Sequence, residues 1–355
     1  MEIKYKSNPN YRRPLTTAKI MAYLLVALLV VYAFGLFNAY NLGGMALLGN
    51  AVLLMAVAVA VTLVTEAVWA KVLKQDIKKY ITNSFGWITA VILVLCVKAD
   101  TSPYAIGVAT FIAIFFGKLV FGGFGQNIFN PAALGEAIIM NSFSASGAEE
   151  VTAQVLSGAT PMAAMGSAGW SSSASVLENV MTSYGGLFGM LMGDYASVIG
   201  GSCALVIIAA FFYLVYNDVI DWHLTVPYVL TVFAVSLITG FANGSGISFA
   251  LFNVLGGGVL FVSVFMLTDP VTSPVTIPGK YIFAVCAAAL TLILRWKAAI
   301  PDGALFAILL MNMLTPAIDQ ACSGSQIKDA KKIQTTTVVI SLVAIVVAVA
   351  VGVTL

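Results

Sequence analysis

The run KIMAYLLVALLVVYAFGLF at residues 19–37, followed after a glycine-bearing break by ALLGNAVLLMAVAVAVTLVTEAVWA at 46–70, decides the fold class. A helix that crosses a bilayer needs about 20 mostly apolar residues, and both runs meet that length. Working outward, the same reading places nine more candidate spans at 83–98, 103–120, 130–143, 187–216, 223–241, 247–267, 280–295, 303–318 and 334–355. The composition agrees. The 355 residues are 60% hydrophobic and 9% charged, with mean hydropathy +0.99, whereas soluble domains carry about 25% charged residues. That arithmetic excludes a soluble enzyme, a disordered chain and a nucleic-acid binder. The short alternating segments of an outer-membrane barrel are missing too. The first run reads as a span and not as a cleavable signal peptide, since no small-residue cleavage site follows it.

Positive charge orients the chain. With the N-terminus in the cytoplasm, fourteen Lys and Arg residues fall inside, against Lys98, Arg295 and Lys297 outside, which is the expected bias. The segment 144–184 then lies outside, with Glu149, Glu150 and Glu178 and no Lys or Arg. The implied organisation is a cytoplasmic arm at 1–18, a five-helix half at 19–143 and an external loop at 144–184. A second five-helix half follows at 185–320, then a linker and an additional helix at 321–355. Cys96, Cys203, Cys286 and Cys322 lie far apart and read as unpaired thiols, and the single histidine, His223, makes no metal site by itself.

An internal match supports a duplication. Ala133-Leu134, Ile138-Ile139 and Met140-Asn141 reappear as Ala304-Leu305, Leu309-Leu310 and Met311-Asn312, all at an offset of 171. Each copy follows a proline, Pro131 or Pro301. Five spans per half run the two halves in opposite directions, an arrangement by which many transport proteins build a central site.

Four stretches stand out chemically. Gly122 through Pro131 brings the amides of Asn127 and Asn130 between two spans; it reads equally as a tight turn capped by Asn130 and as an irregular break lining a cavity. Asp269, in Thr268-Asp269-Pro270, and Asp302, in Pro301-Asp302-Gly303, have the sequence context of turn formers. Ionisable groups at or inside spans are functional suspects all the same, and Glu66, Glu136 and Asp194 join them. The glycine-dense stretch 185–193 reads as a half-helix entering the membrane. Ser157-Gly158-Ala159-Thr160-Pro161, taken bare, is a small-residue loop that leaves the Thr160 hydroxyl accessible.

Taken together and in this order, the motifs resemble one family: RnfD of the Rnf ion-translocating electron-transport complex and the related NqrB of the sodium-pumping NADH:quinone oxidoreductase. The resemblance covers about residues 12–320. It is densest at Phe116–Ala132, Ser157–Pro161, Phe265–Pro274 and Pro301–Asp319. It implies an all-α polytopic membrane protein of two inverted repeats of five transmembrane helices, similar to urea transporters; the extra C-terminal helix at 334–355 has no counterpart in the family core. It implies FMN in phosphoester linkage on Thr160, recognised through Ser157, Gly158 and Ala159. It also implies a non-covalent riboflavin in the membrane part, for which Asn127, Asn130, Asp269 and Asp302 are the candidate contacts.

The activity implied is that of a subunit of an ion-translocating oxidoreductase. It would act in a bacterial cytoplasmic membrane, with an external FMN-bearing subunit among its partners, Na+ or H+ as the transported ion and no role for nucleic acid. Three departures from the family pattern are Gln154-Val155-Leu156 ahead of the motif, Asp194 after Gly193, and Ile300 before Pro301. The physical reading agrees, because a buried isoalloxazine needs flat apolar space and hydrogen bonds at its polar edge. Two rival readings are an inverted-repeat solute channel without redox chemistry, which would bind no flavin, and a purely structural membrane anchor for redox partners.

Overall fold

The computed structural model of the chain describes residues 15–143, 160–170, 174–193, 195–298, 300, 303–324 and 329–355. Ser157, Gly158, Ala159, Asp194, Pro301 and Asp302 lie outside the described residues. The described chain is helical, with one isolated antiparallel bridge between Lys98 and Val198.

Helix α1 spans Thr17–Val72, starting at the Thr16 cap. It is two spans rather than one, because Gly43 and Gly44 leave helical geometry and Gly44 takes φ +62° with ψ −150°. Only glycine adopts that conformation freely. The chain doubles back there. The Tyr32 hydroxyl donates to the Ala51 carbonyl at 3.0 Å, although nineteen residues of straight helix would separate them by roughly 28 Å.

The third span is a bent pair, α2 (Ile77–Ser84) and α3 (Gly86–Cys96), with a 48° bend at Phe85. Helix α4 (Pro103–Ile114) runs on into a single π turn, Phe115–Leu119, and α5 (Pro131–Ser142) closes the first half. Three short helices follow, α6 (Pro161–Ser167), α7 (Ala174–Ser183) and α8 (Gly186–Met192).

The second half also carries a bent pair. Its elements are α9 (Ala204–Tyr216), α10 (Trp222–Ala242), the bent pair α11 (Gly246–Leu255) and α12 (Val259–Phe265), α13 (Ile277–Lys297) and α14 (Gly303–Ala321). The second bend measures 49°. The offset of 171 that links the two sequence copies carries the break at Phe85 onto Gly256, where α11 ends. The run read from sequence as one span at 187–216 is instead α8, a 3-10 turn at Ile199–Gly201 and α9. Gly193, at φ +91°, ends α8 by passing against the Ser202 carbonyl.

The halves meet where α5 packs on α14 and where the 3-10 turn wedges between α3 and α12. Ile199 N–H donates to the Val97 carbonyl at 2.9 Å across that contact. Helix α15 (Ala330–Val353) lies on α10 and α13. Its Ala348 and Gly352, four residues apart, are buried there, a small-residue seam that lets helices approach closely.

Each bent pair interrupts a helix inside apolar protein and leaves carbonyls at the broken end without helical partners. In both halves a buried cation from a later helix answers them. Lys118 Nζ donates to the Ser84 carbonyl at 2.5 Å and to Glu66 Oε1 at 3.2 Å. The Ser84 hydroxyl donates to the same carboxylate oxygen at 2.5 Å. Arg295 donates to the Asn253 carbonyl at 2.8 Å and to the Gly256 carbonyl at 3.4 Å. Lys118 and Arg295, counted in the sequence as an inner and an outer charge at the ends of spans 103–120 and 280–295, are 3% and 0% exposed and are buried in protein. Glycine is required beside the first cluster, since a Cβ on Gly86 would fall 2.1 Å from Glu66 Oε1.

Removing one partner of a buried ion pair costs about 3–5 kcal/mol, because the other charge is stranded. Lys118→Met is therefore expected to lower the thermal unfolding temperature in detergent sharply. The double variant Glu66→Gln/Lys118→Met should recover most of the loss. A double variant no more stable than Lys118→Met would show that the paired charges are not what holds this break.

Candidate functional site

Between the halves, on the face where α1 begins, lies a cleft of about 130 Å³. Its walls are apolar and partly aromatic: Phe85 and Ile88 from the first bent pair, Phe265 from the end of the second, and Phe124 from the glycine loop. Its polar groups are Thr89, Lys118, Asn127, Asn130, Thr268 and Asp269. Three of the residues singled out in the sequence, Asn127, Asn130 and Asp269, thus meet on one surface although up to 142 positions separate them.

Asn130 serves both of the roles the sequence left open. It caps α5 through Oδ1, which accepts from Ala132 N–H at 3.0 Å and Ala133 N–H at 3.3 Å. Its Nδ2 reaches the other half and donates to the Met266 carbonyl at 3.4 Å. Asn312 of α14, the repeat counterpart of Asn141, accepts from Asn130 N–H at 3.0 Å once its amide is assigned by its surroundings. Asn127 Nδ2 donates to the Phe129 carbonyl at 3.0 Å, and the same amide interacts with the Asp269 carboxylate. Asp269 also accepts from Val271 N–H at 3.2 Å and from the Thr272 hydroxyl at 3.2 Å, the local pattern of an Asx turn.

Glu136 is buried on α5. The sequence missed Lys118 as a site residue. The available signal was a lone charge in an otherwise apolar run from Pro103 to Phe121. Among the described residues no group of His, Cys, Asp and Glu is arranged to hold a metal.

Thr160 lies elsewhere, at the start of α6. Its backbone is extended, φ −60° and ψ 153°, and its hydroxyl accepts from Ala163 N–H at 3.1 Å as the helix cap. Pro161 occupies the first helical position, where its missing N–H costs nothing. The Thr160 side chain is half-buried at the edge of the segment.

A charged cluster sits beside the cleft, where Val219 and Ile220 of its wall lead into Asp221. Asp221 Oδ2 accepts from Lys280 Nζ at 2.6 Å, and Oδ1 contacts His223 Nδ1 at 2.5 Å. His223 stacks on Trp222 with ring centroids 3.9 Å apart. Partial burial raises the pKa of Asp221, but the Lys280 and His223 contacts outweigh it and hold the carboxyl at about 2.

Residues 4–328 match the profile of the NQR2, RnfD, RnfE family. Among curated proteins, the chain is similar to the component lettered D of several ion-translocating complexes. It is 34% identical to that of the proton-translocating ferredoxin:NAD(+) oxidoreductase complex of Clostridium ljungdahlii, over 88% of this chain and 92% of that one. It is 30% identical to that of the Na(+)-translocating ferredoxin:NAD(+) oxidoreductase complex of Acetobacterium woodii, over 90% and 93%. It is 28% identical to that of the ion-translocating oxidoreductase complex of Actinobacillus succinogenes, over 89% and 95%. The family match ends before α15 begins.

The Asp221–Lys280 bridge sets a pH signature. The folded carboxyl titrates at about 2 and an unfolded one at about 4. The stabilisation is therefore complete above about pH 4 and is lost as pH falls through the folded value. Because both side chains are partly exposed, the bridge contributes at most about 1 kcal/mol. Thermal unfolding of Lys280→Met against the parent should show a constant small deficit between about pH 5 and 7. That deficit should narrow below about pH 4; one that widened on acidification would contradict the assignment.

Proposed function

The chain belongs to the NQR2, RnfD, RnfE family, and from that premise we propose that it is the membrane flavoprotein subunit of an ion-translocating ferredoxin:NAD-type oxidoreductase. In this reading it carries FMN as a phosphoester on Thr160 and riboflavin in the cleft between the halves. Electron passage between the two is coupled to transport of Na+ or H+, in company with other subunits that include an external FMN-bearing one. The observation that carries the reading is the meeting of Asn127, Asn130 and Asp269 on one aromatic-walled cleft in a chain that matches the family over nearly its full length.

The residues suit the groups. A flavin when bound supplies one- and two-electron redox chemistry, and the chain's part is to bind, orient and exclude water. Phe85, Phe124 and Phe265 offer apolar surface for a flat ring. The side-chain N–H of Asn130 not used on Met266 is a donor for a polar ring edge, which needs partners when buried, and Asn127 Oδ1 is an acceptor beside it. Thr160 offers one hydroxyl oxygen, with Pro161 keeping it out of a helix interior. The altered residues ahead of it, Gln154-Val155-Leu156, leave that oxygen in place.

The same proposal orients the chain, with the N-terminus in the cytoplasm of a bacterial inner membrane and the two halves inverted. The charge bias and the odd number of crossings per half support this. Ser167 is exposed on the Thr160 segment. A cysteine placed there should react with a membrane-impermeant thiol reagent on intact cells, above the background of the native cysteines. Reaction only after the membrane is opened would reverse the orientation.

Flavin content tests the assignments separately. In protein made alongside a competent flavin transferase, Thr160→Ala should abolish fluorescence that survives a denaturing gel. Asn127→Leu and Asn130→Ser should lower the extractable flavin at least several-fold and leave the covalent flavin in place. Serine is chosen at 130 because it keeps the helix cap. Extractable flavin unchanged in both Asn variants would remove the cleft from the reading, and an unmodified peptide spanning Thr160 would remove the attachment site.

A further inference from the structure

We propose that Trp170 and Arg295 form a clamp that fixes the Thr160-bearing segment onto the break of the second half, making Arg295 a positioning residue for whatever Thr160 carries. The inference deepens the reading above and rests on it for its redox consequence, while the clamp itself stands on geometry alone.

The segment 160–170 is short, yet it is anchored like a core element. Met162, Met165 and Trp170 are each 2% exposed or less, and Ser167, Ala168 and Gly169 just before Trp170 are exposed. The Trp170 ring returns to the protein because the chain turns sharply after α6. Trp170 N–H donates to the Met165 carbonyl at 3.0 Å, with Gly169 at φ 70° and Trp170 itself at φ 54°. A bulky side chain seldom adopts that left-handed conformation. The segment accepts the strain where it seats the ring.

Beneath the ring lies the Arg295 guanidinium, 6.0 Å from its centroid, within range of a cation–π contact strengthened by desolvation. Arg295 holds the carbonyl end of α11 through Asn253 and Gly256. Gly256 is also the floor under the other anchor, since a Cβ there would fall 2.0 Å from Met162 Cε and 3.1 Å from Met190 Cε. Two of the three anchors, Met162 and Trp170, therefore close on the one break. One guanidinium joins the broken helix to the ring that seats the segment. A group esterified to Thr160, the residue at the head of this segment, would then ride on a fixed mount rather than a swinging tether.

Electron transfer and any positioned chemistry depend on such placement, and a misplacement of about 1 Å can cost on the order of a hundredfold in rate. The expected effect of loosening the clamp is thus on transfer and mobility, with attachment retained.

The experiment uses the whole assembled complex with a nitroxide on Ser167→Cys, corrected for labelling of the native cysteines. The parent and Trp170→Phe, which keeps an aromatic face, should give a slow-motion spectrum. Trp170→Ala should introduce a fast component. Arg295→Lys, which retains the cation but not the planar fork, should fall between them. In the same preparations covalent flavin should stay at parental content, and its rate of reoxidation by the rest of the complex should drop about tenfold in Trp170→Ala and return in Trp170→Phe. A spectrum equally slow in Trp170→Ala refutes the clamp. Equal mobility in Trp170→Phe and Trp170→Ala refutes the part given to the ring face. Parental protein without flavin on Thr160 would overturn the attachment reading alone, because the nitroxide spectra judge the clamp without it.

Discussion

A helix that stops inside apolar surroundings exposes carbonyls that water cannot reach, and among the described residues the two bent pairs do so at Phe85 and at Gly256. Backbone groups freed inside apolar surroundings must be met from within the protein. The first break is held by Lys118 with Glu66 and the Ser84 hydroxyl, the second by Arg295 with Asn253. In each half the cation comes from an element that follows the bent pair. Helical carbonyl ends carry partial negative charge, so a cation is the complement the broken end calls for. The cleft lies against the first break and the Thr160 segment against the second. Two otherwise unlike regions of the protein are thereby the two sides of one structural device.

The polar residues of the cleft are committed to the fold before they are offered to a ligand. Asn130 caps α5, bridges to Met266 and receives support for its own N–H from Asn312 across the halves. Asp269 closes its own turn. This is economical in an apolar protein, since each buried amide or carboxylate must be satisfied whether or not a cofactor is present. It also couples the site to the joint between the halves: Asn130 belongs to one half and the carbonyl it reaches belongs to the other.

Helix α15 stands apart from this scheme. It follows the stretch matched by the family and has no partner in the repeat, yet it is bound to the second half by a specific seam. Gly352 lies so close to Thr239 and Trp296 that a Cβ would fall 2.4 Å and 2.7 Å from their side chains. The Asn243 amide donates to the Gly352 carbonyl at 3.4 Å. The opposite face of the helix, with Val339, Leu342, Val343 and Val346, is exposed and apolar.

The sequence alone determined the class of the protein, because apolar runs of spanning length and a charge content far below that of soluble chains leave a helical membrane protein as the physical solution. Matched positions at one offset are its case for a duplication, and its polar motifs single out Asn127, Asn130, Asp269 and Glu66 as candidates, with Thr160 added by the resemblance. Asn127, Asn130, Asp269 and Glu66 stand out because polar and ionisable groups at apolar spans need partners, and Thr160 stands out through the resemblance of its motif to the family.

Only the tertiary structure decided how the bent pairs form: Phe85 carries no local signal that divides an apolar run, and the run Gly256-Gly257-Gly258 marks a break without fixing the 49° bend or the cation that meets it. It decided that Lys118 and Arg295, counted in the sequence among the inner and outer charges, are buried: periodicity tells which face of a helix is apolar, not which carbonyl lies opposite a cation. It decided too that Thr160 stands apart from the cleft, at the cap of a helix seated on Gly256. Such placements depend on contacts between residues far apart in the sequence, and the chain acquires them only when both halves have packed.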